Sequence, residues 1–241
     1  MKLKAFTLAE VLVTLGIIGV VAAMTLPSVI NTYRKLDTTA KLKKFYSAIN
    51  QAVNFSVVEN GEPIGWIETL VYHNPESLYD WFDRYVMKHM IVLKRCRDAG
   101  SSCVGTYKYC EYPGKCYDAA YISTNAVLYI FNDGTMITAL TGGGVDEETG
   151  NATSMTLHVR FDTNGYGKPN TYGQDVFSFR MNINEKFAYV TCDNHKNLTG
   201  GTVSLSDGRD KLLQACKTDP QTCGCLLMND NWEFKSDYPW L

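Results

Sequence analysis

The sequence lacks an excess of either charge, and it contains few histidines. Its 23 Lys and Arg residues are balanced by 25 Asp and Glu residues, which gives a formal net charge of -2, and there are only 4 His. A protein that binds nucleic acid through the phosphates usually carries a clear basic surplus. The composition therefore argues against a nucleic-acid-binding protein.

Motifs of the common catalytic sites are also absent. The chain has no Gly-x-Ser-x-Gly, no His-Glu-x-x-His and no Rossmann glycine pattern. Gly167-Lys168 is followed by Pro169 instead of Ser or Thr, so this segment is not a phosphate-binding loop. His89 lies near an apolar helix face and lacks the partners of a catalytic triad. The sequence predicts no enzyme.

Cysteine is absent from the first 95 residues and frequent beyond them. An even, clustered set of cysteines is typical of disulfide bonds formed in an oxidising compartment. We expect two bridges within residues 96–116 and two within residues 192–225, and none between the last two cysteines, because a single intervening residue strains the bridge. The cysteines are Cys96, Cys103, Cys110, Cys116, Cys192, Cys216, Cys223 and Cys225.

Structural zinc is the alternative use of these cysteines. Zinc ligands are usually paired at short spacing, as in Cys-x2-4-Cys. The first cluster has six, six and five intervening residues, which fits this rule poorly. Cys192-x2-His195 and Cys223-x-Cys225 could together form one site. We favour disulfides, which place the C-terminal two-thirds of the chain outside the cytoplasm.

The longest apolar run lies near the N-terminus, where residues 6–26 carry a single charge, that of Glu10. As a helix, this run spans about 30 Å, the thickness of a bilayer core. The apolar region of a secretory signal is shorter, about 7–15 residues. A carboxylate in hydrocarbon costs about 2.5–3.5 kcal/mol and usually has a partner. If the chain is cut before Phe6, the α-amine of a neighbouring subunit could neutralise Glu10 and set the register of a polymer.

Residues 4–11, Lys-Ala-Phe-Thr-Leu-Ala-Glu-Val, together with the apolar run and Pro27, resemble the leader and N-terminal helix of type IV pilins and type II secretion pseudopilins. In that family a short basic leader ends in a small residue, usually Gly. Phe, a Thr-Leu pair, Glu at the fifth mature position and Pro at the twenty-second follow. Counted from Phe6, Glu10 and Pro27 occupy the last two places, whereas Ala5 replaces the usual Gly.

The resemblance implies that a prepilin peptidase cuts between Ala5 and Phe6 and that the new Phe6 amine is methylated. Glu10 and Pro27 are then the assembly residues of the helix. The implied partners are other pilin or pseudopilin subunits, an inner-membrane assembly platform and membrane lipid, with no nucleic acid. The protein would be a single-pass protein of the bacterial inner membrane, with its C-terminal head in the periplasm or in an extracellular filament.

The basic residues around the apolar run favour the opposite orientation. Lys2 and Lys4 precede the run, but a larger basic group follows it, beginning at Arg34. The positive-inside rule places the more basic side in the cytoplasm. The cysteines and the resemblance both favour a head outside. We give them more weight because the second basic group begins eight positions beyond the run, on a predicted soluble helix.

The expected fold class is α+β, a long N-terminal spine helix packed on an antiparallel β-meander head with disulfide-rich loops. Apolar residues at three- and four-residue steps from Leu42 to Val53 extend the spine to a stop at Gly61. The expected divisions are a prepilin leader at 1–5, a transmembrane and assembly helix at 6–27, the outer half of the spine at 28–60 and a globular extracytoplasmic head at 61–241.

Within the head, Asn74-Pro75 predicts the start of a second helix. Asp133-Gly134 between two apolar runs predicts a hairpin. Residues 91–118 and 141–150 are expected to be loops. Further strands are predicted at 155–161, 176–181 and 187–191, and a short helix at 208–217.

Residues 161–175 resemble the Asp-x-Asn-Gly…Gly-x-Asp turn of many prepilin-type heads. Asp162, Asn164 and Asp175 could supply oxygens to Ca2+, which takes about 6–8 oxygen ligands. The alternative is an ordinary turn, in which Asn and Asp side chains bond to backbone N–H groups. The sequence establishes no cofactor, and Ca2+ is the candidate for this loop.

These patterns predict a structural subunit, either a minor pilin or a pseudopilin. Two other classes stay open. One is a membrane-anchored extracytoplasmic enzyme with its site in the head. The other is a secreted binding module whose N-terminal run is a cleaved signal.

Overall fold

The computed structural model divides the chain into two compact units, Met1–Thr38 and Thr39–Leu241. The described residues are 7–71, 74–97, 105, 107–112, 114–118, 126–145, 152–183, 188–192, 195–196 and 202–240.

Helix α1, Leu8–Asn60, is helical at every residue, Pro27 included. It ends where the sequence predicts. Gly61 has a φ of +77°, and its N–H donates to the carbonyl of Val57 at 3.0 Å. Glycine adopts this left-handed conformation without the steric cost of a Cβ atom. The next segment forms a 3-10 helix at Pro63–Thr69.

In the second unit, α1 contributes one apolar stripe to the core. Leu42, Ile49 and Val53 are completely buried, and they recur at the spacing of one helix face. Phe45 stacks on Phe161 with the ring centroids 4.0 Å apart. The predicted packing of the outer spine on the head is confirmed.

Helix α2, Pro75–Tyr85, begins at the predicted cap. The side chain of Asn74 accepts a hydrogen bond from the N–H of Ser77 at 2.9 Å, and the proline occupies the first turn, where its missing N–H has no helical partner. A 3-10 helix at Met87–His89 follows. The buried face of α2 consists of Leu78, Trp81, Phe82 and Tyr85.

The described strands are β1 Val92–Cys96, β2 Lys108–Tyr112, β3 Lys115–Asp118, β4 Ala126–Phe131, β5 Met136–Val145, β6 Ala152–Asp162, β7 Val176–Ile183, β8 Ala188–Thr191, β9 His195–Lys196 and β10 Thr202–Val203. Six of them form one antiparallel sheet in the order β1-β4-β5-β6-β7-β8, which is a meander with β1 added at one edge. β2 pairs with β3, and β9 with β10. The predicted α+β class and the hairpin at Asp133-Gly134 are confirmed.

Two segments that were expected to be loops contain strands. Residues 91–118 include β1, which pairs with β4, and the hairpin of β2 and β3. Residues 141–144, Thr-Gly-Gly-Gly, belong to β5 because β6 provides a backbone partner for each of them. A neighbouring strand thus overrides the low strand propensity of glycine. The remainder of that expected loop, residues 146–150, lies outside the described part.

The two faces of the sheet pack on different elements. One face joins the core of α1 and α2 through residues such as Ile137, Val159 and Phe179. On the other face, Leu128 and Met136 belong to a second buried cluster with tyrosines of the β2–β3 hairpin and of the segment before β7. The head therefore has two cores, one on each side of the sheet.

The C-terminal region is held on the rest of the head by side-chain hydrogen bonds. It contains α3, Arg209–Thr218, near the predicted position, and α4, Cys223–Asn229, which was not predicted. The guanidinium of Arg209 donates to both Asp230 and Asp237, at 2.7 Å to each. The Tyr238 hydroxyl donates to the carbonyl of Gly173 at 2.6 Å, and the Trp240 indole to that of Cys216 at 2.8 Å.

The second face of the sheet also carries two like charges, one buried and one partly buried. Arg160 of β6 and Arg180 of β7 lie on adjacent strands. Arg180 is only 7% exposed. Burial and the neighbouring Arg160 lower the pKa of Arg180 to about 10. Arg160 Nη1 and Arg180 Nε are buried and have no hydrogen-bond acceptor in the described part of the chain. An uncompensated buried charge opposes folding.

We expect Arg180→Met to raise the midpoint of thermal unfolding, because it removes a buried charge and keeps an aliphatic side chain. Lys211→Met, at an exposed cation on α3, is the control and should change stability by less than about 0.5 kcal/mol. A lower midpoint for Arg180→Met, measured by circular dichroism, would mean that the guanidinium stabilises the fold.

Candidate functional site

The first unit presents apolar side chains without covering them. Leu8 is 81% exposed and Met24 is 76% exposed. Among the described residues, α1 is the helix long and apolar enough to cross a membrane, and none of its apolar window is buried. An exposed apolar surface of this length is unfavourable in water and marks a membrane or protein contact.

Glu10 takes part in the N-terminal cap of α1. One of its carboxylate oxygens accepts hydrogen bonds from the N–H and the hydroxyl of Thr7, both at 2.8 Å. The Glu10 N–H in turn donates to the Thr7 hydroxyl at 3.3 Å. This reciprocal arrangement is a capping box, which satisfies backbone N–H groups that a helix start leaves without partners. The charge of Glu10 has no cationic partner among the described residues of this unit.

Of the other three residues predicted in this segment, the structure describes one. Ala5 and Phe6, the predicted processing and methylation positions, lie outside the described residues. Pro27 lies inside α1, and the helix continues through it. Because proline has no N–H, the carbonyl of Ala23 lacks its usual helical donor at this point. The predicted roles of all three residues stay predictions.

The cysteines confirm part of the disulfide prediction. Cys110 is bonded to Cys116, and Cys216 to Cys223. Cys96 is also disulfide-bonded, whereas Cys103 lies outside the described residues. The second bridge expected within residues 192–225 is not formed, because Cys192 and Cys225 are buried without a disulfide bond. The Cys225 thiol instead lies 3.4 Å from the carbonyl oxygen of Cys192, as a hydrogen-bond donor would.

The head loop, defined as residues 162–175, brings its predicted residues together. The Asp162 carboxylate accepts hydrogen bonds from the N–H groups of Asn164 and Gly165, at 2.9 and 2.7 Å. Asp175 accepts from the N–H groups of Asn170 and Thr171, at 2.8 and 2.6 Å. Both carboxylates are almost fully buried. Each closes a local turn in the manner expected of Asp side chains.

Two further side chains connect these turns to each other and to the hairpin. The Asn164 amide donates to Asp175 at 2.9 Å. The hydroxyl of Tyr107, on the β2–β3 side, donates to Asp162 at 2.7 Å. Burial, and then repulsion from Asp175, raise the pKa of Asp162 to about 8. Burial also raises the pKa of Asp175. Two carboxylates in one buried site thus compete for ionisation.

The hydrogen bonds fit the ordinary turn better than a calcium site. Every carboxylate oxygen of Asp162 and Asp175 already accepts at least one N–H or O–H donor. The buried oxygens that have no donor in the described part of the loop are Oδ1 of Asn164 and Oδ1 of Asn170. Two neutral oxygens fall short of the roughly 6–8 ligands that Ca2+ takes. Calcium binding stays a prediction with a direct test.

Two contributions to these sites were missed in the sequence. The capping box could have been found, because Thr7-x-x-Glu10 before an apolar run is its signature. Tyr107 carries no such signal. It reaches the head loop only because the hairpin packs there through backbone hydrogen bonds at Cys110.

Comparison with known proteins gives one family. Residues 28–241 match a family described as a family of unknown function (DUF6613). The matched region begins directly after Pro27 and includes the outer part of α1 and the whole head. No curated protein and no solved structure matches the chain.

The raised pKa of Asp162 predicts that the stability of the protein falls as the pH rises. Between the ordinary value of 3.8 and about 8, the folded protein holds a proton that the unfolded chain has lost. The stabilisation is therefore complete below the lower value and disappears as the pH passes the upper one. Asp162→Asn should flatten this dependence in thermal melts, whereas Asp210→Asn, at an exposed carboxylate, should not. Parallel curves for wild type and Asp162→Asn would contradict the assignment.

Calcium binding requires ionised carboxylates, so it should depend on pH in the opposite sense. If the head loop holds Ca2+, excess calcium raises the melting midpoint at about pH 9 more than at about pH 6, and Asp162→Asn abolishes the effect. If chelator and calcium give the same midpoint at both pH values, the ordinary turn is the correct interpretation.

Proposed function

The chain belongs to this family of unknown function (DUF6613), and from its own residues we propose that it is a prepilin-type structural subunit. In this proposal it is a minor pilin or pseudopilin of a type IV pilus or a type II secretion system. It is stored in the bacterial inner membrane, processed before Phe6 and polymerised through its N-terminal helix. The head then lies in the periplasm or in an extracellular filament.

The observation that carries the proposal is the uncovered apolar part of α1. A core helix would bury these side chains, but none of them is buried here. The same helix continues without a break to Asn60, and its later residues belong to the core of the head. A single-pass anchor and a polymerisation helix both need an apolar surface that the subunit itself leaves open.

The presence of Glu10 favours a polymerisation helix over a simple membrane anchor. A bare anchor has no use for a carboxylate in its apolar run, where an ionised group is unfavourable. The capping box with Thr7 satisfies one carboxylate oxygen but not the charge. The α-amine of a neighbouring processed subunit could neutralise that charge. The proposed partners are thus a prepilin peptidase, other pilin or pseudopilin subunits, an inner-membrane assembly platform and lipid.

N-terminal sequencing of the mature protein separates this proposal from the two alternatives. A start at Phe6 is expected for a processed prepilin. A start near Met24 would indicate a cleaved secretory signal and a secreted binding module. An uncut Met1 would favour a membrane-anchored enzyme or binding protein.

We expect Glu10→Ala to leave membrane insertion intact and to abolish efficient incorporation into filaments. Insertion should improve slightly because the charge is gone. The measurements are the amount of subunit in the membrane fraction and in filaments sheared from cells.

Two matched variants separate the charge of Glu10 from its capping role. Glu10→Gln keeps the cap, since Gln also serves at this position of a capping box, and removes the charge. Thr7→Ala keeps the charge and removes the cap, at a helix cost of about 0.5–2 kcal/mol. If the α-amine of a neighbouring subunit neutralises Glu10, the Glu10→Gln variant should fail to assemble into filaments and the Thr7→Ala variant should assemble. The reverse pattern would reduce Glu10 to a helix cap.

A further inference from the structure

We propose that the second face of the six-stranded sheet binds a divalent oxyanion of the sulfate or phosphate type, held by Arg160 of β6 and Arg180 of β7. This pair is called the arginine site below. Both strands belong to the second unit, and the proposal does not depend on membrane insertion or polymerisation.

The strand register makes the two arginines neighbours on one face. Arg160 lies opposite Ser178, and Arg180 lies two residues further along the same strand. Diagonal neighbours of this kind are about 7–8 Å apart at their Cα atoms, within reach of long side chains. Repulsion between their charges contributes to the lowered pKa of Arg180. Two guanidinium groups can therefore meet one ion.

The described part of the chain does not compensate these charges. Neither guanidinium donates a hydrogen bond to an acceptor there or forms an ion pair. Arg160 has only the ring of Tyr109, with 6.0 Å to its centroid, and the acid that acts on Arg180 is the Cys225 thiol, not a carboxylate. Asp162 follows two residues after Arg160, but its pKa of about 8 keeps it mostly protonated at neutral pH. Charges that are partly removed from water require a counterion.

The arginine site keeps a path to solvent. The enclosed nitrogens are Nη1 of Arg160 and Nε of Arg180, and the other nitrogens of both groups, which also lack acceptors in the described chain, are not enclosed. Next to Arg180 on the same face, Asn182 is partly buried and lies opposite Tyr189, which is 38% exposed. An ion can approach from this side.

The number of charges selects the kind of anion. A divalent oxyanion balances both guanidinium charges, whereas a carboxylate or a halide leaves one of them uncompensated. The oxygen atoms of such an ion also accept paired N–H bonds from the planar guanidinium fork, which gives charge-assisted hydrogen bonds. The chemistry of the site therefore favours sulfate, phosphate or the phosphate end group of a larger ligand.

The test is equilibrium dialysis of the full chain in detergent against radioactive sulfate or phosphate at constant ionic strength. We expect saturable binding of at least one of these ions. Arg160→Met and Arg180→Met should each weaken it about tenfold or more, because each removes one of the two charges. Arg84→Met makes the same substitution at an exposed arginine of α2 and should leave binding unchanged.

Thermal melting provides a second readout. Bound oxyanion stabilises the folded wild type by mass action, so sulfate should raise its melting midpoint more than that of Arg180→Met. The general exclusion of sulfate from protein surfaces raises all midpoints alike, and Arg84→Met should therefore follow the wild type. Arg160→Met, at a partly buried residue, keeps the test valid if Arg180→Met does not fold.

Three results would overturn the proposal: no saturable binding of either ion, wild-type affinity in both arginine-site variants, or displacement of sulfate by an equal concentration of chloride. Glycerol 3-phosphate identifies the source of the ligand. Tighter binding than inorganic phosphate supports a site for the end group of a larger phosphorylated molecule, and equal binding supports a site for the free ion.

Discussion

Phe45 of α1 and Phe161 of β6 stack with their ring centroids 4.0 Å apart and their planes 8° from parallel. Around this pair, the spine stripe fills one face of the sheet, and Leu42 and Ile49 have no exposed surface. Burying each such side chain contributes about 1.5–3 kcal/mol. A sheet must bury its apolar face against another element, so the fold of the head depends on the outer spine.

Periodic apolar patterns identified the elements that pack on this core. The spine, α2 and the hairpin at Asp133-Gly134 were predictable because helix and strand periods, caps and turn residues agree locally. The glycine run at 141–144 was not, since only the partner strand makes it a strand. Likewise, Cys192 and Cys225 lie close in sequence to the bonded pair Cys216 and Cys223, but they form no disulfide. Whether two cysteines are bonded depends on tertiary geometry that sequence spacing does not contain.

The candidate sites also differ in how much of them the sequence predicts. Glu10 and its cap can be found by inspection, because Thr7 is three residues away. Asp162, Asn164 and Asp175 were grouped by motif, and the structure brings them together through hydrogen bonds that are mostly local. The Tyr107 hydroxyl that donates to Asp162 lies 55 residues earlier, and no local pattern indicates it.

The contacts of Tyr238 and Trp240 have a consequence for biogenesis. The Tyr238 hydroxyl donates to the carbonyl of Gly173 and the Trp240 indole to that of Cys216, and the ring of Trp240 packs so closely on Gly173 that a Cβ atom there would lie 2.9 Å from it. Because a chain is synthesised from its N-terminus, these contacts form only after residues 238–240 have been made. The covering of Gly173 and Cys216 is therefore a late step in the folding of the head.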